Sequence, residues 1–490
     1  MSSPRFQHSY ADDLPARLYA HTGPSLVSAP RLLALNENLA AELGLDIDWL
    51  RSSEGVAMLA GNRLPADARP IAQAYAGHQF GNFVPQLGDG RALLVGELLD
   101  SNGQLRDLQL KGSGRTQFSR NGDGRAALGP MMREYIVSEA MYALGIPTTR
   151  TLSLVATGEG VYRETKLPGA LISRVAASHI RVGTFEFLAA RQDISGLRAL
   201  ADYAIRRHYP HLADTPNPYQ GFLDAVVAAQ AKLVAQWMLV GFIHGVLNTD
   251  NVAISGETID YGPCAFMDAY HPATVFSSID MEGRYAYANQ PRITVWNLAR
   301  LAESLLPLLT DSSRGGDEGF EQAKASLRSF QALHEAAFHE GLRHKIGLFS
   351  EEPGDLDLAG ELLVLMARNS ADFTLTFRDL AYEIDGPGPV RDHFIDPTAF
   401  DGWAARWRER LAREPASHRP ARMRAINPKY IARNHRIESA ISAAANDDDF
   451  GPFRSLLSVL ARPFDEQPEM EEYARPPAHE ERVLQTFCGT

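Results

Sequence analysis

Apolar positions along the chain change their period near residue 184. Before that point RALLVGELL (residues 91–99), RDLQLK (106–111), RTLSLVATG (150–158) and PGALISRVA (168–176) are short apolar or alternating runs bounded by glycine, proline and polar residues. Such runs predict strands, the first entered from the glycine-broken turn QLGDG (86–90) as a hairpin. One helix interrupts them, GPMMREYIVSEAMYALG (129–145), with Pro130 suited to its first turn and Gly145 to its end. RLLALNENLAAELGL (31–45) reads as an earlier helix inside an N-terminal extension. Beyond residue 184 helical periods dominate: DISGLRALADYAIRRHY (193–209), FLDAVVAAQAKLVAQWMLVGFIHG (222–245) and a further helical stretch from about 293 to 378. A strand-and-loop segment, NVAISGETIDYG (251–262), separates them, and the stretch from Pro468 is polar and rich in Pro and Glu, which predicts an exposed tail.

Strands gathered first and helices second predict an α+β chain. The predicted division is an extension over 1–60, a small β-rich lobe over 61–183, a larger helical lobe over 184–467 and a tail over 468–490. A length of 490 residues requires more than one lobe, because single cores stop growing near 250–300 residues.

Composition narrows the class. Hydrophobic residues make up 45% and charged residues 22%, ordinary for a globular protein. The net charge of −12 argues against a nucleic-acid partner, which asks for a basic face. The first residues carry no apolar signal core, and the long apolar run near 222–242 is broken by Asp224, Gln230, Lys232 and Gln236. The expectation is a cytoplasmic protein with no membrane partner. Two cysteines, Cys264 and Cys488, exclude a disulfide framework and a multi-cysteine zinc site but leave one redox bridge open.

Candidate chemistry sits in four groups. In HGVLNTDN, His244 and Asn251 stand seven residues apart, the spacing of a kinase catalytic loop, and IDYG at 259–262 has the form of a D-F-G motif. Val246 occupies the place of the usual aspartate, and Asp250 lies beside Asn251 instead, which puts ordinary phosphoryl transfer in doubt. Asn251 and Asp260 offer an amide oxygen and a carboxylate, the hard donors that Mg²⁺ takes, and Asp250 offers a base for an incoming hydroxyl. The same residues also suit a plain polar turn. Lys111 ends a strand 23 residues before Glu134 in the helix, as in the kinase lysine–glutamate pair; Glu139 competes with Glu134, and spacing does not choose between them. Gly88, Gly90 and Arg91, with NGDGR (Asp123 and Gly124) after Lys111, suit a phosphate-covering loop or a simple turn. Arg174, inside an apolar strand, and Arg181 need partners, met either by a salt bridge or by phosphate. His179 reads as structural.

AYAGHQFG (74–81), GDGRA (88–92), QLKGSGRTQFSRNGDGRAALGPMMRE (109–134), SRVAASHIRVGTFE (173–186), HGVLNTDN, IDYGP, NQPRITVWNLARLAE (289–303) and NPKYIARNHRIESAI (427–441) together resemble the selenoprotein O family, protein adenylyltransferases with a kinase-like, pseudokinase fold. The resemblance implies a bilobal fold and transfer of AMP from ATP, bound flipped relative to kinases, to hydroxyl side chains of protein substrates. It implies Asp250 as proton acceptor, Asn251 and Asp260 as ligands of Mg²⁺ or Mn²⁺, and Lys111 paired with Glu134 on the phosphates. Gly88, Gly90, Arg91, Asp123, Gly124, Arg174, Arg181 and Asp260 would line the nucleotide pocket. UMP transfer, often with Mn²⁺, is also implied for similar proteins. Some members carry selenocysteine where this chain has Cys488, and the resemblance implies a bridge from that tail to Cys264 in the activation segment. A conventional kinase and an ATP-binding scaffold without activity are the competing expectations.

Overall fold

In the computed structural model, which describes residues 3–309, 317–415 and 417–487, the β-rich lobe is built on one antiparallel sheet. Its strands are β1 (Tyr19–His21), β2 (Arg31–Leu35), β3 (Ile71–Gln73), β6 (Ala92–Leu99), β7 (Leu105–Lys111), β9 (Arg150–Tyr162) and β10 (Lys166–Ala176), in the order β1-β3-β6-β7-β10-β9-β2, with β8 (Ala126–Ala127) added on β10. Between β3 and β6 a separate hairpin forms from β4 (Gly77–Gln79) and β5 (Asn82–Val84).

The alternation along β7 explains why the sheet can carry a polar site. Leu108 and Leu110 point to one face and join a core with Trp49, Leu50, Met58 and Leu59. Asp107, Gln109 and Lys111 alternate with them and occupy the other face, all buried. The apolar face is covered by three short helices, Glu37–Glu42, Ile47–Arg51 and Ser53–Leu59, each capped by a side chain: Asn36, Asp46 and Ser52.

The first sixty residues therefore form a layer of the sheet lobe. The run 31–45, expected as one helix, divides at the cap Asn36: its first half is β2, paired antiparallel to β9, and only its second half is helical. A lone amphipathic window does not reveal a strand whose partner lies more than 115 residues away.

Helix Leu128–Ala143 crosses the sheet, with Pro130 in its first turn and Gly145 in the left-handed region (φ +76°) just past its end. Beyond residue 181 helices dominate. Pro218–Leu239 lies in the core against Gln290–Leu309 and Asp317–Lys345. That helix is long and apolar enough to cross a bilayer by length and composition, yet most of it is buried in the protein. A β-sheet lobe followed by a helical lobe is the α+β arrangement that the order of elements predicts and the kinase-like bilobal one that the resemblance implies.

Two expectations change. The segment 251–262 forms no strand: its β-type pairings are single bridges, Arg181 with Ala253 and Thr148 with Thr258. Residues beyond 468 are not a wholly exposed tail: Ala474 and Thr486 are buried, and Thr486 exchanges backbone hydrogen bonds with Phe276 and Ser278. Leu484 and Phe487 remain exposed.

Candidate active site

The site forms where β7, β10, the helix Leu128–Ala143 and two loops of the helical lobe meet. Those loops run between the short paired strands β11 (Phe242–Ile243) and β12 (Ala265–Phe266). His244 braces them from beneath: its backbone N–H donates to Gln290 and its ring Nε2 bonds the Ile259 carbonyl at 2.9 Å. Burial pushes the His244 ring below its usual range, so it sits neutral. Asn297 holds the Leu247 carbonyl from the helix behind.

Five charged side chains converge here. Lys111 Nζ lies 2.6 Å from Glu134 and 2.7 Å from Asp260. Arg174 reaches Asp260 at 2.6 Å and Glu134 at 3.3 Å, and Arg181 reaches the other Asp260 oxygen at 3.0 Å. Of the two candidate glutamates, Glu134 is thus the one beside Lys111, while Glu139 is taken by Arg150 at 2.7 Å. Burial works to raise the Asp260 carboxyl, but the Arg174, Lys111 and Arg181 charges overcome it and hold the group well below the usual carboxylate range. Asp260 adopts a left-handed backbone (φ +63°), rare for a non-glycine residue and frequent at functional turns.

Arg181 also ties Asp260 to the catalytic-loop candidate. The same nitrogen, Nη1, donates to the Asp250 carbonyl at 2.8 Å. Asp250 is 8% exposed, and burial pushes its carboxyl up to about 6 against the pull of Arg181. Its Oδ2 accepts from the Gln79 amide at 3.3 Å; its Oδ1 is buried with no hydrogen-bond partner, as is Arg181 Nη2. An acceptor and a donor left without partners on two residues joined by the Arg181–Asp250 carbonyl bond leave room for a polar ligand, since such groups are otherwise satisfied. Asn251 donates its amide N–H to the Val246 carbonyl at 2.8 Å, which leaves the amide oxygen, the atom a hard cation takes, out of that bond.

The glycine set lies on the facing loop. Gly88 has φ +83°, and a Cβ there would sit 2.4 Å from the Phe118 ring. Gly90 packs on the Phe118–Ser119 backbone, and the Ser119 hydroxyl donates to its carbonyl. Half-buried Arg91 accepts from the Gly112 and Ser113 amides through its carbonyl, which ties this turn to the end of β7. Gly124, at φ +68°, lies so close to Gly114 that a Cβ would meet its backbone at 2.2 Å. Asp123 is exposed at the rim and paired with Arg163 at 2.9 Å, outside the charged cluster. Cys264 is buried, and Cys488 lies outside the described residues.

Sequence reasoning missed the residues that hold Arg174 in place. Gln109 accepts from Arg174 Nε at 3.1 Å and from Nη2 at 2.5 Å, and its own amide donates to Asp89 at 3.1 Å. Asp89 also accepts from the Gln73 backbone. The only signal was polar residues alternating with leucine in a strand otherwise suited to a core.

A kinase-like bilobal fold that gathers three cationic side chains on two carboxylates between sheet and helices fits an enzyme of the nucleotide-transferring class. A profile of the family described as protein adenylyltransferase SelO matches residues 5–461. The chain is 61% identical to the protein nucleotidyltransferase YdiU of a Bradyrhizobium species over 99% of both chains, 60% identical to that of Bradyrhizobium diazoefficiens and 58% to that of Methylorubrum populi, again over 99% of each. It belongs to the SelO family of protein adenylyltransferases.

Proposed function

We propose that the chain transfers AMP from ATP to hydroxyl side chains of other proteins, with Asp250 as the proton acceptor. The observation that carries this reading is the buried, unpartnered Asp250 Oδ1 beside the Lys111–Arg174–Arg181 cluster. A hydroxyl oxygen attacks the α-phosphorus, the bond from α-phosphorus to the bridging oxygen breaks, and pyrophosphate leaves. The hydroxyl proton passes to Asp250 Oδ1. Lys111, oriented by Glu134, and the two arginines bind phosphate oxygens, with Arg181 Nη2 as the open donor. Gly88, Gly90, Arg91, Asp123 and Gly124 would cover the nucleotide.

The donor set suits a divalent cation. Asn251 and Asp260 give two hard oxygens, and among the described residues no cluster of three His, Cys, Asp or Glu forms a closed cage. Two protein ligands plus phosphates is how Mg²⁺ is held, and Mn²⁺ accepts the same donors. The ion, when bound, would neutralise charge on the phosphates. Val246 at the usual aspartate position supports nucleotidyl over γ-phosphoryl transfer.

The test uses ATP labelled at the α- or γ-phosphorus, and α-labelled UTP, with Mg²⁺ and Mn²⁺ separately. Protein labelled from α-ATP and not from γ-ATP, and lost in Asp250→Ala and Asp260→Ala, is expected. Labelling from γ-ATP alone overturns the reading in favour of a kinase. ATP-dependent thermal stabilisation with no label from any nucleotide would favour an inactive scaffold.

A further inference from the structure

The motif AYAGHQFG has no role in the cleft described so far, yet the hairpin it forms is fastened to the catalytic loop residue by residue. The His78 backbone N–H donates to Thr249 Oγ1 at 2.7 Å, the Gln79 side chain to Asp250 Oδ2 at 3.3 Å, and the Phe80 N–H to Asn248 Oδ1 at 3.0 Å. Three consecutive hairpin residues thus bond three consecutive loop residues, about 170 positions later in the chain.

The hairpin is itself rigid. Phe80 (φ +51°) and Gly81 (φ +84°) give both central turn residues positive φ, the geometry that fits a two-residue hairpin. His78 is clamped by Glu186 at 2.5 Å and stands edge-on to Trp296 at 5.2 Å. The same Asn248 Oδ1 also accepts from the Tyr285 hydroxyl, whose ring packs against Phe80. Gly77 brings the strand so near that a Cβ would lie 2.7 Å from Asp250 Oδ1.

We infer that Gln79 is a positioning residue: its amide N–H holds Asp250 Oδ2 so that the empty Oδ1 faces the incoming hydroxyl. A carboxylate only accepts hydrogen bonds, so the amide nitrogen must be the end that faces it. Among the described residues no other side chain bonds this carboxylate, and a short side chain fixed at one oxygen presents the other in one direction. At 3.3 Å the hydrogen bond is at the long end for N–H···O.

This inference rests on Asp250 as the proton acceptor. The test measures kcat and KM for ATP in the AMP-transfer assay, with melting temperature alongside, for Gln79→Leu (no donor), Gln79→Glu (same shape, acceptor only), Gln79→Lys (donor kept) and Asp250→Asn. Expected is a kcat lower by about 10- to 100-fold in the leucine and glutamate variants. KM for ATP and melting temperature should stay near wild type, and lysine should recover most of the rate. If Gln79→Leu does not fold, Gln79→Glu gives the same reading. A Gln79→Leu kcat within about twofold of wild type, with Asp250→Asn inactive, overturns the role of Gln79 alone. So does a joint fall in kcat, ATP affinity and melting temperature that lysine does not repair. Transfer retained by Asp250→Asn overturns the role of Asp250 and this inference with it.

Discussion

Removal of the Lys111 charge is the sharpest probe of the cluster. In Lys111→Met the Glu134 side chain, 3% exposed, keeps only Arg174 at 3.3 Å, and Asp260 keeps the two arginines. Lys111 itself is 9% exposed at its side chain, so solvent screens the pair little and the buried regime applies rather than the surface one. Breaking one side of a buried pair costs about 3–5 kcal/mol; the remaining arginine puts Lys111→Met at about 3 kcal/mol. Over 490 residues, at about 2 cal/mol/K per residue, the unfolding entropy is about 1 kcal/mol/K, which translates the loss into about 3 °C of melting temperature. Glu134→Gln in the Lys111→Met background should then cost less than it does alone, because there it neutralises a buried carboxylate that has already lost its lysine. A double-mutant cycle by calorimetry should give a coupling of about 2 kcal/mol between the two sites. A coupling below about 0.5 kcal/mol would refute the view that the pair acts as one buried unit.

Two further outcomes follow from individual positions. Burial, helped by Arg174 and Arg181, pushes the His179 ring down to about 4 even though Asp107 pulls the other way. Between pH 6.5 and about 4 the unfolded chain binds a proton that the folded one refuses, so stability is level above 6.5 and falls by up to ~3 kcal/mol on acidification; denaturation at pH 7 and pH 4.5 should show a smaller loss in His179→Asn, and an equal loss would sink the assignment. Gly77→Ala sets a Cβ 2.7 Å from Asp250 Oδ1 and 3.0 Å from Leu87, so kcat for AMP transfer should drop by about tenfold or more at near-normal KM for ATP, and full activity would show that the carboxylate is not confined there.

The parts of the fold legible in the sequence are those whose signal is local. The helix Leu128–Ala143 carries its own start and stop, and β6, β7, β9 and β10 carry apolar runs bounded by turn residues. The strands β1 and β2 and the 77–84 hairpin were not read, because short half-polar segments become strands only through distant partners. The same distinction runs through the site. Lys111, Asp250, Asn251 and Asp260 stand in spacings that metal and phosphate chemistry makes recognisable. Gln79, Asp89 and Gln109 act only through side chains far along the chain, Gln79 on Asp250 and Gln109 on Arg174, and a glutamine in a strand has no spacing that announces such a task. The choice between Glu134 and Glu139 likewise needed the sheet: Arg150 of β9 claims one and leaves the other to Lys111.

The two-faced strand β7 also limits how this lobe can change length. Asp107, Gln109 and Lys111 serve the polar, charged face while Leu108 and Leu110 serve the opposite core. Dropping one residue from the strand itself would swap the two sets, driving Leu108 and Leu110 among the charges and Gln109 into the apolar layer. A length change is accommodated more easily where the pleat is interrupted, in the exposed turn around residues 100–104, which is held by bonds to Asp100 and by one from the Ser101 N–H to the Glu42 carbonyl.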